Sequence, residues 1–403
     1  MSTDLTLSNR TETWNKFIDE FDKELTDNVM VISNNLYTQF IRKKSAWELR
    51  MKTNKKSGSI DMSKLQTYLT SEDIFKRKVM MPKGKSHGVV VLVDNSGSMN
   101  NDIYNIMINV CALALFAKRA KIKFEAYIFT STYKQHSEPN NPGNGVYLKN
   151  LRLTNIYNSS MSNEDIKNVF FEFCIYKKML KNMSGKEILK IVYGVQEAAK
   201  LISNLSKWDA AGTPLVPAYL GAFERAAIMK ESGIQHVSLF TLTDGDGDGP
   251  LQDKLSSPVS TFLNPFNQRL YMASEYAVYE HNNSSFAALN KCSESVNMIN
   301  NIAEDMHIDT NHILLTNRLT ESQYRNHRDE LLTPFLKNKF VTANNILGYN
   351  KVSIVNYETN IGEVNWEATA KEVNENLKQV YNKKFIINLL STNIIDSICR
   401  FYK

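Results

Sequence analysis

The apolar positions of this chain fall into two patterns. One is a continuous aliphatic run, Gly88-Val89-Val90-Val91-Leu92-Val93; elsewhere apolar residues mostly recur at helical spacing. A β-branched run without polar alternation is what a central parallel strand, buried on both faces, requires. It ends in a small polar loop, Asp94-Asn95-Ser96-Gly97-Ser98. The spacing then predicts a helix over roughly 103–119, with Ile106, Val110, Leu113 and Phe116 on its apolar side, and a second strand over 123–129. A β-α-β unit makes a parallel sheet with helical crossovers the economical fold.

Before this unit, residues 1–85 read as amphipathic helix. Apolar residues repeat at helical spacing from Trp14 to Leu25 and again from Val31 to Leu49. Gly58-Ser59-Ile60-Asp61 reads as a turn opening a short helix over 62–69, and the segment with Pro82, Gly84 and Gly88 as a linker. After it, 131–146 carries Pro139, Pro142, Gly143 and Gly145 and reads as a loop. Helix is expected over most of 162–206, over 216–231 and near 286–306, and strands at 236–242, 312–316 and 351–355. A hairpin is expected around Asn264-Pro265-Phe266-Asn267, and a helical tail over 366–398. The expected architecture is α/β: a Rossmann-like doubly wound, mostly parallel sheet with an N-terminal helical extension and helical insertions. A helical, basic region (1–85) precedes the α/β domain (86–360), which carries insertions at about 131–205 and 250–300. A helical segment (361–403) follows. No internal repeat or low-complexity tract interrupts it.

Composition changes this picture little. Hydrophobic residues make up 42% and charged residues 22%, as in ordinary globular proteins. The net charge of +6 is small for 403 residues, and much of it sits in 41–44 and 52–56. A basic patch of this kind can touch nucleic acid or an acidic partner, but these stretches read first as a solvated helical face, and neither nucleic acid nor a membrane is an expected partner. The cysteines Cys111, Cys174, Cys292 and Cys399 are scattered without a C-x-x-C pair, which suits reduced thiols. The polar, acidic start is unlike a secretory signal, and no apolar run reads as long enough to span a bilayer, so a cytoplasmic protein is expected.

The candidate chemistry lies where ligands of open α/β sheets gather, after the carboxyl ends of strands. Asp94-x-Ser96-x-Ser98 follows the central strand, Gly212-Thr213-Pro214 precedes a helix, and Asp244 follows the strand ending at Leu242. A hard divalent cation, Mg²⁺ before Mn²⁺ or Ca²⁺, takes oxygen ligands and keeps waters where protein oxygens are missing. Two serine hydroxyls, a threonine hydroxyl and two carboxylates meet that demand. Neutral hydroxyls around the ion leave it electrophilic toward one more carboxylate from outside. Taken alone, D-x-S-x-S reads equally well as a helix N-cap made by Ser96 or Ser98. Asp244-Gly245-Asp246-Gly247-Asp248-Gly249 opens like an EF-hand loop, but its twelfth position is Leu255 and a strand precedes it, so Asp246 and Asp248 read as an acidic rim. No phosphate loop is present: Gly84-Lys85-Ser86 has the tail of one, but Val79 stands where the first glycine belongs. H-E-x-x-H and G-x-S-x-G are also missing.

The D-N-S-G-S-M, G-T-P-L and T-D-G strings resemble the metal-ion-dependent adhesion site of von Willebrand factor A domains, over roughly residues 87–360. That resemblance implies Ser96, Ser98 and Thr213 as metal ligands, with Asp94 and Asp244 acting directly or through water. The long stretch between Ser98 and Thr213, and the insertion after Asp244, depart from compact members. The flank, including Glu48-Leu49-Arg50-Met51, 58–65, 71–77 and His87-Gly88, resembles CobT-type cobaltochelatase subunits and the CobT-like proteins of T4-like phages and cyanophages. It implies a MoxR- or CobS-like AAA+ ATPase as partner, acting in the host cytoplasm if the chain is phage-encoded. The basic residues Lys43, Lys44, Lys55 and Lys56 are candidates for docking that ATPase. The functional expectation is therefore a metal-dependent protein-binding adaptor, not an enzyme, whose target supplies an acidic residue. Two alternatives stand beside it: a metal-dependent hydrolase using Asp244 to Asp248, and a structural, particle-associated interaction protein.

Overall fold

The computed structural model describes residues 7–51, 53–60, 62, 75–80, 86–131, 145–148, 151–180, 183–244, 269–272, 276–281, 284–289, 292–316, 328–338, 340–346 and 349–355. The chain begins with α1 (Leu7–Glu24) and α2 (Val31–Met51), joined through a π-helical stretch, Leu25–Met30. Phe17, Phe21, Leu25, Val29, Ile32, Leu36 and Phe40 are buried along them. Four residues turn an α-helix about 40° past a full turn. A stripe repeating every fourth residue therefore drifts around the axis unless the helix is underwound somewhere. The wider π turn sits in the middle of this stripe and, with the single three-residue step from Val29 to Ile32, takes out that drift.

An antiparallel pair follows, β1 (Thr53–Ile60) and β2 (Phe75–Met80), with Thr53 opposite Met80. This corrects the helical reading of the N-terminal region in its second half: Gly58 to Ile60 belong to a strand, not to a turn. Most of the expected 62–69 helix lies outside the described residues.

The main body is one eight-stranded sheet. Its strands are β3 (His87–Asp94), β4 (Lys123–Ser131), β5 (Gly145–Leu148), β6 (Leu151–Asn158), β7 (His236–Thr243), β11 (Ile308–Leu315), β12 (Phe340–Ile346) and β13 (Tyr349–Val355). Their order is β12-β13-β11-β7-β3-β4-β6-β5. The five central strands from β13 to β4 run parallel, and the remaining pairings are antiparallel. This is the expected α/β layout, with antiparallel edges added.

Both faces are covered, as the unalternated β3 sequence requires. Val89, Val91 and Val93 enter the core under α1, α2, α3 (Ile103–Ala120), α4 (Asn163–Cys174), α5 (Met183–Tyr193) and α6 (Val195–Leu205). Val90 and Leu92 face the opposite core, with α7 (Leu215–Glu231), residues of α8 (Cys292–Asp305) and Phe335 of a short helix, Thr333–Asn338. The N-terminal helices thus share a core with the sheet. α3 is long and apolar enough to cross a membrane, contrary to the sequence reading, but 72% of that stretch is buried inside the fold. Helices on one side and sheet on the other account for its nearly all-round apolarity. Cys111 and Cys174 are free and buried, and burial pushes both thiols up to about 12.

Residues 269–289 hold a separate three-stranded antiparallel sheet: β8 (Arg269–Met272), β9 (Tyr276–His281) and β10 (Ser284–Leu289). Phe286 is therefore in a strand, and the helix expected from it starts only at Cys292. The hairpin at 264–267, the tail 366–398 and most of the loop 131–146 lie outside the described residues; the described ends of that loop, Ser131 and Gly145-Val146, belong instead to β4 and β5.

Candidate metal centre

Parallel register fixes which residues meet at the carboxyl end of the sheet. Val93 of β3 stands opposite Ile128 of β4 and Leu242 of β7. The next residues along β3 and β7, Asp94 and then Thr243 and Asp244, therefore emerge together. Asp94 is fully buried. Its Oδ1 accepts a hydrogen bond from the Ser96 N–H at 2.9 Å, and its Oδ2 accepts one from the Thr243 hydroxyl at 2.7 Å. The Ser96 and Ser98 hydroxyls share a hydrogen bond at 3.0 Å, and Ser98 Oγ donates to Asp244 Oδ1 at 3.0 Å. Four of the five residues expected at the site thus form one connected set of oxygen atoms.

Thr213 is brought to the same end by its backbone. Ser96 bridges Ala211: Gly97 N–H donates to the Ala211 carbonyl at 3.0 Å, and Ala211 N–H to the Asn95 carbonyl at 3.3 Å. Gly212 is clasped by Ser131 at the end of β4, its N–H donating to Ser131 Oγ at 2.7 Å and its carbonyl accepting from Ser131 N–H at 3.1 Å. The Thr213 carbonyl then accepts from Leu215 N–H at 2.8 Å as α7 begins. Asp246 and Asp248 lie outside the described residues.

The N-cap alternative for the serines does not hold. Both the 3-10 turn Ser98–Asn101 and α3 begin without a side-chain cap, and the hydroxyls turn to each other and to Asp244 instead.

Sequence reasoning passed over three contributors. Thr243 supplies the second hydrogen bond to Asp94; pairing the ends of the two apolar strands would have found it. Asn95 donates from Nδ2 to the carbonyls of Trp208 (3.0 Å) and Asp209 (3.2 Å), fixing the approach to Thr213. Asp102 adds a third carboxylate close enough to feel Asp244. Nothing in its local sequence distinguishes it from a helix-start residue.

Burial pushes the Asp94 carboxyl up to about 7; the neighbouring Asp244 charge acts in the same direction, against the hydrogen bonds from Thr243 and Ser96. Burial, and then Asp244, also raise Asp102. Among the described residues no Lys or Arg forms an ion pair with Asp94 or Asp244. Lys177 reaches the loop after Ser98, where its ammonium donates to Asn100 Oδ1 at 3.1 Å. A buried carboxylate beside a second one, with no countercharge, needs either a proton or a cation. The all-oxygen donor set suits a hard ion. Among the described residues no group of three or more His, Cys, Asp and Glu side chains is placed to hold a metal, so a cation here depends on the hydroxyls.

No family model matches the chain, and no curated protein matches it in sequence. Among solved structures, the open conformation of the pilus adhesin SpaC from Lactobacillus rhamnosus GG is similar at a TM-score of 0.37 and 11% identity, over 78% of this chain and 30% of the adhesin. A second form of the same adhesin gives a TM-score of 0.29 and 13% identity, over 58% and 25%. The human COPII-coat protein Sec24c gives a TM-score of 0.29 and 9% identity, over 75% and 33%. The chain thus spans a third or less of each of these structures. Its α/β assignment rests on its own strand order and register.

Proposed function

We propose that this chain is a metal-dependent protein-binding adaptor built on a von Willebrand factor A-type domain. Ser96, Ser98 and Thr213 would hold a divalent cation, Mg²⁺ first, with Asp94 and Asp244 acting directly or through water. The observation that carries this reading is the buried Asp94 carboxylate, linked through Ser96 and Ser98 to Asp244 without a basic partner among the described residues. The bound cation supplies a positive centre on which an incoming Asp or Glu side chain can dock. The chain's own part is to present neutral hydroxyls, so that the ion's charge is not already spent on the protein. A MoxR- or CobS-like AAA+ ATPase is the proposed second partner, on the strength of the CobT-like flank and the missing phosphate loop; the setting is cytoplasmic.

Two measurements test this. Calorimetric titration with Mg²⁺ and Mn²⁺ should show binding at one site that Asp94→Ala abolishes and Thr213→Ala weakens by about tenfold or more. Affinity capture with candidate ATPases and their substrates should then give complexes lost in EDTA and in Asp94→Ala. Identical capture under all these conditions sinks the metal-bridge reading.

A further inference from the structure

The end of the sheet opposite Asp94 carries a second feature. There the first residues of β3 and β4 open on a cleft of about 760 Å³, bounded by α2 and the C-terminal end of α3. From His87 in its lining to Asp94 at the far end, β3 runs its full eight residues, a span of about 23 Å at the usual strand rise. Its lining includes Lys44 of α2, Lys118 and Lys121 at the end of α3, and Lys123 at the start of β4, with no Asp or Glu among the described residues. Lys118 is already engaged, its ammonium donating to the carbonyls of Ser159 and Met161. Among the described residues the ammonium groups of Lys44, Lys121 and Lys123 make no hydrogen bond or ion pair. The buried side chains of Phe40 and Ile122 supply an apolar floor.

Like charges converging on a concave, partly apolar surface raise the local positive potential and call for an anion. The backbone decides which kind. The wall nearest the lysines is the end of α3, whose terminal carbonyls carry partial negative charge and disfavour a compact anion seated against them. Compact phosphate sites use the opposite end of a helix, where N–H groups point outward. Lysines on long stems instead suit charges spread along an extended ligand. An apolar floor between them suits a ligand with apolar side chains among its acids. We infer that this cleft docks an acidic peptide segment of a partner protein, with its carboxylates at Lys44, Lys121 and Lys123 and an apolar side chain over Phe40 and Ile122. This docking does not involve a metal, and it stands or falls separately from the candidate centre around Asp94.

The test uses the full chain in EDTA and a fluorescein-labelled peptide, Glu-Asp-Leu-Glu-Asp-Phe-Glu-Asp, followed by anisotropy at low salt. Saturable binding that weakens with salt is expected. Lys44→Glu/Lys121→Glu/Lys123→Glu should weaken it about tenfold or more. The equally charged control, Lys186→Glu/Lys190→Glu/Lys200→Glu, should change it less than about twofold. The milder Lys44→Gln/Lys121→Gln/Lys123→Gln variant should fall in between, and it keeps the test open if the Glu variant unfolds. Three results overturn the inference: no binding to the wild type, equal loss in cleft and control variants, or undiminished binding of a peptide with Leu and Phe replaced by Ser. Displacement by inorganic tripolyphosphate at far lower concentrations than unlabelled peptide would assign the cleft to phosphate and also overturn it.

Discussion

At the scale of single residues, two buried carboxylates in neighbouring strands show what is unusual about the site. Glu125 of β4 receives the Arg225 fork at 3.0 and 3.1 Å and the Tyr127 hydroxyl at 2.6 Å, so its charge is matched. Asp94 has neutral donors, the Thr243 hydroxyl and Ser96, and a second carboxylate nearby, with no cation paired to it among the described residues. In the metal-free protein Asp94 should therefore oppose folding once it is ionised. Asn keeps both contacts: its Oδ1 accepts from Ser96, and its Nδ2 donates to Thr243, whose hydroxyl rotates to accept. Asp94→Asn should raise the urea midpoint at pH 8 in EDTA by the equivalent of about 1–3 kcal/mol. It should also erase any stabilisation by Mg²⁺. A variant less stable than the wild type in EDTA would show that Asp94 is not strained by its charge. The five expected ligand residues were legible because each sits in a short polar string abutting an apolar run or opening a helix. Thr243, Asn95 and Asp102 were not, because their roles arise from register and from loop contacts that no local string encodes.

At the scale of elements, the same contrast separates what the pattern foretold from what it missed. Long periodic helices and the unalternated β3 were readable, since burial on a defined face dictates their residues. β6 was not: it alternates imperfectly, pairs antiparallel with both neighbours, and fell within a stretch read as an insertion. The strands β8 to β10 carry enough Tyr, Val and Phe for sheet, and Asn282-Asn283 between β9 and β10 is a turn signal that the sequence reading passed over. Close approach of elements is equally hidden in sequence. Gly185 opens α5 so near the chain's preceding π-helical turn that an added Cβ would lie 1.8 Å from the Met179 carbonyl oxygen. Gly97, in the candidate site loop, has a φ of −61° and nothing within 4 Å of such an atom. Gly185→Ala should therefore cost about 2–3 kcal/mol in urea denaturation. Gly97→Ala should stay within about 0.5 kcal/mol and keep metal binding. The reverse ranking would mean that Gly97 serves the loop through conformations other than the one described.

For the whole molecule, the two ends of the sheet and its buried titrating groups determine how stability responds to pH and to metal. His312 of β11 is buried, stacked on Tyr349 at 4.4 Å with Nδ1 3.1 Å from the Tyr219 hydroxyl, and burial lowers it from 6.5 to about 4. Because the unfolded chain protonates this ring first, stability is lost as pH falls from about 6.5 to about 4. Asp94 acts in the other direction. Its folded value of about 7 lies above its ordinary 3.8, so in EDTA stability is gained as pH falls from about 7 toward 4 and lost as it rises. Over the shared window the two slopes oppose each other, and the wild type in EDTA should show a shallow dependence on pH. Asp94→Asn, retaining only the His312 contribution of this pair, should lose stability steadily with acid. Mg²⁺ separates the two effects further: an ion at the site requires Asp94 without its proton, so binding should weaken as pH drops below about 7, approaching tenfold per pH unit. Thermal melts from pH 4.5 to 8, with and without Mg²⁺, on the wild type and Asp94→Asn would read all of these slopes together. A Mg²⁺ increment that stays constant down to pH 5 would place the ion away from Asp94, and with it the docking chemistry assigned to that end of the sheet.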